Sequence, residues 1–131
     1  MLILDILKIM KILILEDNPI RIEKFKKLFR NQELFICETV NAAKEACLLN
    51  DFKIMLLDHD LGNQIWVDSN EENTGYTFVK WLVDNESQKQ ALCYIHSMNF
   101  IGANKMMNYL LDNGRDAIWI PFHLLKLEDI F

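Results

Sequence analysis

Lys11-Ile12-Leu13-Ile14-Leu15-Glu16-Asp17-Asn18-Pro19 is the stretch that decides the fold. Its first five residues form a short, nearly continuous apolar run, the pattern of a strand covered on both faces in a parallel sheet. Two carboxylates close the run, and Asn18-Pro19 then supplies a helix cap and a first-turn proline. Ile22, Phe25, Leu28 and Phe29 follow at helical spacing, while Arg21, Lys24, Lys26 and Lys27 mostly face water. A strand passing straight into an amphipathic helix is the opening of a βαβ unit.

The alternation repeats along the chain. Leu34 to Glu38 reads as a second strand, and Asn41 as the cap of a helix with Ala43, Ala46, Cys47 and Leu49 on its apolar side. Lys53 to Leu57 reads as a third strand, closed by Asp58-His59-Asp60-Leu61-Gly62. The following residues through Thr74 are polar, acidic and broken by glycine and asparagine, a loop long enough to suggest a functional lid. Trp66 within it is expected to pin the loop to the body. Gly75 to Asn85 predicts a helix with Phe78, Val79, Leu82 and Val83 inward. Ala91 to His96 predicts a fourth strand, and Asn99 caps a helix that runs to Asp112 and stops at Asn113-Gly114. Ala117 to Ile120 is the fifth strand, and Leu124 to Ile130 reads as a short last helix. This pattern implies an α/β chain, a three-layer αβα sandwich around a five-stranded parallel sheet. Strand order 2-1-3-4-5 is the natural choice at this length.

With 131 residues the chain has room for one domain, assigned to residues 10–131. Its 51% hydrophobic and 25% charged residues are those of a soluble globular protein. A net charge of -5 argues against duplex nucleic acid as a partner, because general binding needs a basic patch. No apolar run reaches the roughly 20 residues that span a bilayer, so no membrane is expected. Cys37, Cys47 and Cys93 have no metal-ligand spacing and read as reduced, buried thiols of a cytoplasmic protein. Residues 1–9 are nearly all apolar and lack a basic leader and a cleavage site. Since Met10-Lys11-Ile12 is a natural beginning for the domain, they read either as an upstream start or as an N-terminal extension forming an edge strand or a partner contact.

In the order 2-1-3-4-5 the first, third and fourth strands are neighbours, and ligands bind beyond their carboxyl ends. Glu16, Asp17 and Asp58 reach that edge together, a donor set for a hard divalent cation, Mg²⁺ or Mn²⁺. A phosphate about 4 Å from one carboxylate is repelled by roughly 4 kcal/mol at intermediate dielectric, so an anionic ligand here requires that cation. His59 and His96 are expected to face the same void, where a pair of imidazoles could serve as general acid and base. Arg21 could grip a phosphate or pair with Glu16 or Asp17, and Asp60 could bind ligand or metal or serve only as turn chemistry. Ser97 and Asn99 could donate to phosphate oxygens.

These residues resemble the receiver domains of two-component response regulators from Met10 onward. Glu16-Asp17 stands at the receiver's acidic pair, Asp58 at its phosphoacceptor and Ser97 at its Ser/Thr position. Ala117-Ile118-Trp119-Ile120-Pro121-Phe122 resembles the fifth-strand ending, except that Ile120 replaces the lysine before proline. A closer resemblance is to the cyclic-phosphate processing receiver-like domains. It rests on Leu15-Glu16-Asp17-Asn18 with Arg21, Asp58-His59-Asp60-Leu61-Gly62, Thr74-Gly75, His96-Ser97-Met98-Asn99, Gly102 and Pro121-Phe122.

That resemblance implies a metal-dependent phosphoesterase acting on 2',3'-cyclic phosphate RNA ends or cyclic nucleotides. His59, His96, Asp58 and Ser97 would be its catalytic groups, and Arg21, Asn99 and Asp60 its substrate-binding groups. The expected partner is a small phosphorylated ligand, with a homodimer as a further option. The alternative is an inactive pseudo-receiver, a partner-binding module that lacks the lysine.

Overall fold

Five strands, β1 (Lys11–Leu15), β2 (Glu33–Cys37), β3 (Ile54–Leu57), β4 (Leu92–Ile95) and β5 (Asp116–Trp119), form one parallel sheet of order β2-β1-β3-β4-β5. The computed structural model describes residues 9–131; the predicted extension lies outside them except for Ile9, which is exposed. Four α-helices connect the strands: α1 (Pro19–Leu28), α2 (Val40–Leu49), α3 (Gly75–Asp84) and α4 (Phe100–Asp112). The predicted architecture and strand order are therefore those of the molecule.

Strand periodicity divides the core into two layers. Leu13, Leu15, Met55, Leu57, Cys93 and Ile95 pack against α2, α3 and α4. Ile12, Ile14, Leu56 and Tyr94 point the other way, onto Phe25 and Phe29. β1 and β3 are covered on both faces, which explains their unbroken apolar sequence. Cys37, Cys47 and Cys93 are free and buried; burial pushes their thiols up to about 11, 12 and 12.

Three expectations change. Thr39, not Asn41, caps α2, its hydroxyl accepting from the Ala42 N–H at 3.1 Å. Leu49 ends that helix exposed instead of inward. In place of a last α-helix, two 3₁₀ turns, Phe122–Leu124 and Leu127–Asp129, carry Phe122, Leu125 and Ile130 onto the α1 side of the sheet. So short a segment gains little from helix propagation, and tertiary contacts decide its path.

Candidate functional site

Leu15 pairs with Leu57, and Leu57 with Ile95. One step beyond those pairs stand Glu16, Asp58 and His96, in a row on the Ile14–Leu56 face. Their ligating atoms all lie within 4.8 Å of one another, and all three residues are buried. Register thus puts His96, not Ser97, level with Asp58. Ser97 is turned by one residue, and its Oγ accepts from the Asn99 N–H at 3.0 Å.

Glu16 is well served by donors and keeps acceptor capacity on Oε1. One oxygen accepts from the N–H groups of Asp17 and Asn18, both at 3.1 Å. The other accepts from His96 Nε2 at 2.9 Å, because a carboxylate can only accept. Burial alone would raise this carboxyl. The His96 bond and charge, the Asn18 N–H and Arg21 outweigh burial and hold it below the ordinary range. The His96 ring lies against Phe25 and Phe122, and its Nδ1 has no partner among the described residues.

Asp58 is less well served. It accepts from the His59 N–H at 2.9 Å, and burial pushes its carboxyl up to about 7, opposed by His96 and Arg21 but reinforced by Glu16. Arg21 Nη1 stands 3.6 Å from Glu16 Oε1 and 3.7 Å from Asp58 Oδ2. Both distances exceed hydrogen-bond length, so the attraction is electrostatic and its N–H groups can serve another acceptor. The guanidinium also lies over Phe122, 5.6 Å from the ring centroid.

The lid begins and ends on an isolated antiparallel bridge between Asp60 and Thr74. Gly75 follows because nothing larger fits: a Cβ there would lie 2.0 Å from the Asp58 carbonyl oxygen. Asp60 organises the loop from inside, accepting from the N–H groups of Trp66 at 2.7 Å and Val67 at 3.1 Å, and from Asn99 Nδ2 at 3.0 Å. Burial would raise the Asp60 carboxyl, but its bonds to His59, Asn99, Trp66 and Val67 hold it low. His59 Nδ1–H donates to Asp60 at 2.7 Å, and its Nε2 pairs with the Ser69 hydroxyl at 2.9 Å. Asp17 at the rim accepts from the Asn63 N–H at 2.7 Å.

A cavity of about 240 Å³ opens between this lid and the strand ends, lined by Glu16, Asp17, Arg21, Asp58, Ser97 and Trp66 among others. The donor set fits a divalent cation: two buried carboxylates share one loosely placed arginine, and burial holds the Asp58 carboxyl well above its ordinary range. The clustered trio is Glu16, Asp58 and His96; Asp17 lines the same cavity but is tied to the lid.

The expectation that both imidazoles face one void is corrected. Adjacent residues on a strand point to opposite faces, so Asp58 and His59 diverge, and His59 enters the layer of α4. Asn99 and Asp60 do line the cavity, but their polar atoms are spent on the α4 cap and the lid. Trp66, expected to pin the loop to the body, meets Phe100 but is 56% exposed at the cavity mouth. Ser69, the partner of His59, was not singled out in the sequence; nothing in its neighbours marks it.

The fold agrees with what comparison with known proteins gives. The family model of the cyclic-phosphate processing receiver domain matches residues 10–112, and the chain belongs to that family. The signal receiver domain of a Luxo repressor protein from Vibrio parahaemolyticus is similar in structure, with 16% identity, TM-score 0.66 and coverage of 94% of this chain and 85% of that one. A CheY-like response regulator receiver domain from Methylobacillus flagellatus is similar at 18% identity and TM-score 0.65, covering 87% of this chain and 86% of that one. The HemR receiver domain from Leptospira biflexa gives 18% identity and TM-score 0.65 over 91% and 86%. No curated protein matches the chain. Among the described residues, no helix is long and apolar enough to cross a membrane.

Proposed function

We propose that this receiver-like domain binds a small cyclic phosphate in the lidded cavity, together with Mg²⁺ or Mn²⁺, and opens it by hydrolysis. The observation that carries the reading is Arg21. Its guanidinium stands on the cavity wall beside two buried carboxylates, at distances that leave its N–H groups for a ligand. Membership of the cyclic-phosphate processing family supports the choice of ligand.

Glu16, Asp17 and Asp58 would hold the cation, which supplies charge for the phosphoryl oxygens and lowers the pKa of a bound water. Arg21 binds and orients the phosphoryl oxygens. The lid shields the reacting phosphorus from bulk water. His96 keeps Glu16 ionised and in place, and His59 keeps the lid in place; neither touches the ligand in this reading.

Binding without turnover is the second reading. It is favoured by the position of His59, since the paired imidazoles that would move protons are not assembled around the cavity. The test is incubation with 2',3'-cyclic and 3',5'-cyclic AMP, with Mg²⁺ or Mn²⁺ and after chelation, with products separated by chromatography. Metal-dependent ring opening that is lost in Arg21→Gln and Asp58→Asn supports the enzyme. Binding with no product leaves the binding module, and absence of both overturns the proposal.

A further inference from the structure

Trp66 is an exposed aromatic residue on a left-handed backbone. Its backbone φ is 56°, in the left-handed region that a bulky L-residue occupies at a cost of about 1–3 kcal/mol. The Asp60 carboxylate imposes that conformation through the Trp66 and Val67 N–H groups, and is itself fixed by buried His59 and Asn99. A buried polar scaffold therefore presents an exposed indole. Its ring meets half-exposed Phe100 edge to face, with centroids 5.7 Å apart. Exposed Ile65 and Met98 line the same cavity as Trp66, Arg21 and Asp58.

We infer that Trp66 is the stacking platform for a nucleobase, so that the ligand of this cavity is a nucleoside cyclic phosphate. The inference rests on the reading of the cavity as a cyclic-phosphate site. An aromatic face accepts any base, because every base has a π-face, and needs no hydrogen-bond readout. At about 240 Å³ the cavity is smaller than the roughly 300–1,000 Å³ that enclose a whole ligand, which places phosphate and sugar inside and the base at the rim. The net charge of -5 disfavours a long phosphate backbone and selects a mononucleotide.

The experiment titrates the chain, with Mn²⁺ present, using 2',3'-cyclic AMP and base-free glycerol 1,2-cyclic phosphate. It compares the native chain with Trp66→Phe, which keeps a ring, and Trp66→Asn, which tolerates the left-handed backbone without one. The native chain binds the nucleotide roughly 5- to 150-fold more tightly than the base-free ligand. Trp66→Asn loses that margin, Trp66→Phe keeps most of it, and all three bind glycerol cyclic phosphate alike. Equal native affinity for the two ligands, or undiminished nucleotide affinity in Trp66→Asn, overturns the platform while the cavity reading stands. Equal loss of both ligands in Trp66→Asn also overturns it, in favour of a lid-folding role. Binding of neither ligand by the native chain removes the cavity reading and the platform together. A cyclic-ended oligonucleotide that binds more tightly than the mononucleotide overturns the mononucleotide assignment.

Discussion

Gly102 backs directly onto the His59 imidazole: a Cβ on Gly102 would lie 2.5 Å from two of the ring carbons. Helix α4 can approach the strand end only because this position is a glycine, and the ring it meets carries the lid through Asp60 and Ser69. Gly102→Ala should therefore destabilise the chain by about 1–3 kcal/mol, the usual range for overpacking. In a double-mutant cycle by chemical denaturation, His59→Ala should absorb part of that loss. Strict additivity would contradict the contact.

Asp58 makes stability fall as pH rises. Its folded carboxyl titrates near 7 and its unfolded one near 4, so over that interval the folded chain binds the extra proton. Stability from this group is greatest below pH 4 and is progressively lost up to about pH 7. Asp58→Asn should raise the melting temperature by roughly 5–10 °C at pH 8 without divalent metal. The gain should shrink toward pH 4. Thermal scans at the two pH values decide it.

Divalent metal should reverse that penalty. Mg²⁺ or Mn²⁺ at a hundred times its dissociation constant stabilises a one-site protein by about 2.7 kcal/mol. The native chain should show the corresponding rise in melting temperature, and Asp58→Asn should show little of it. A rise of equal size in both would place the cation elsewhere.

Arg21 is expected to carry ligand affinity. Arg21→Gln should weaken 2',3'-cyclic AMP binding by roughly 10- to 150-fold, the range for a hydrogen bond to a charged group. Lys24→Gln, one position on the same helix outside the cavity, should leave it unchanged. Calorimetric titration of the two variants distinguishes a phosphate contact from bulk charge.

His96 and His59 should fail differently. His96→Ala removes a donor from buried Glu16, which should lower stability by about 1–3 kcal/mol and raise the Glu16 carboxyl. His59→Ala loosens the lid, so any turnover should lose apparent affinity more than maximal rate. A matched collapse of maximal rate in both variants would restore the imidazole pair as acid and base.

The sequence by itself determined the sheet, its strand order and the family. Apolar runs such as Lys11 to Leu15, with a cap and proline immediately after, are local signals, and right-handed crossover leaves few ways to assemble them. It also delivered Glu16, Asp58 and His96 to one edge, because strand ends are legible in the chain. The tertiary structure decided which way each side chain faces and what it touches. His59 is one residue from Asp58, and strand alternation sends it into the opposite layer. Ser69 becomes its partner, and Trp66 reaches the cavity mouth, only once Asp60 has closed the lid. Loop contacts of that kind join residues with no shared period, so they exist only when the folded backbone brings them together.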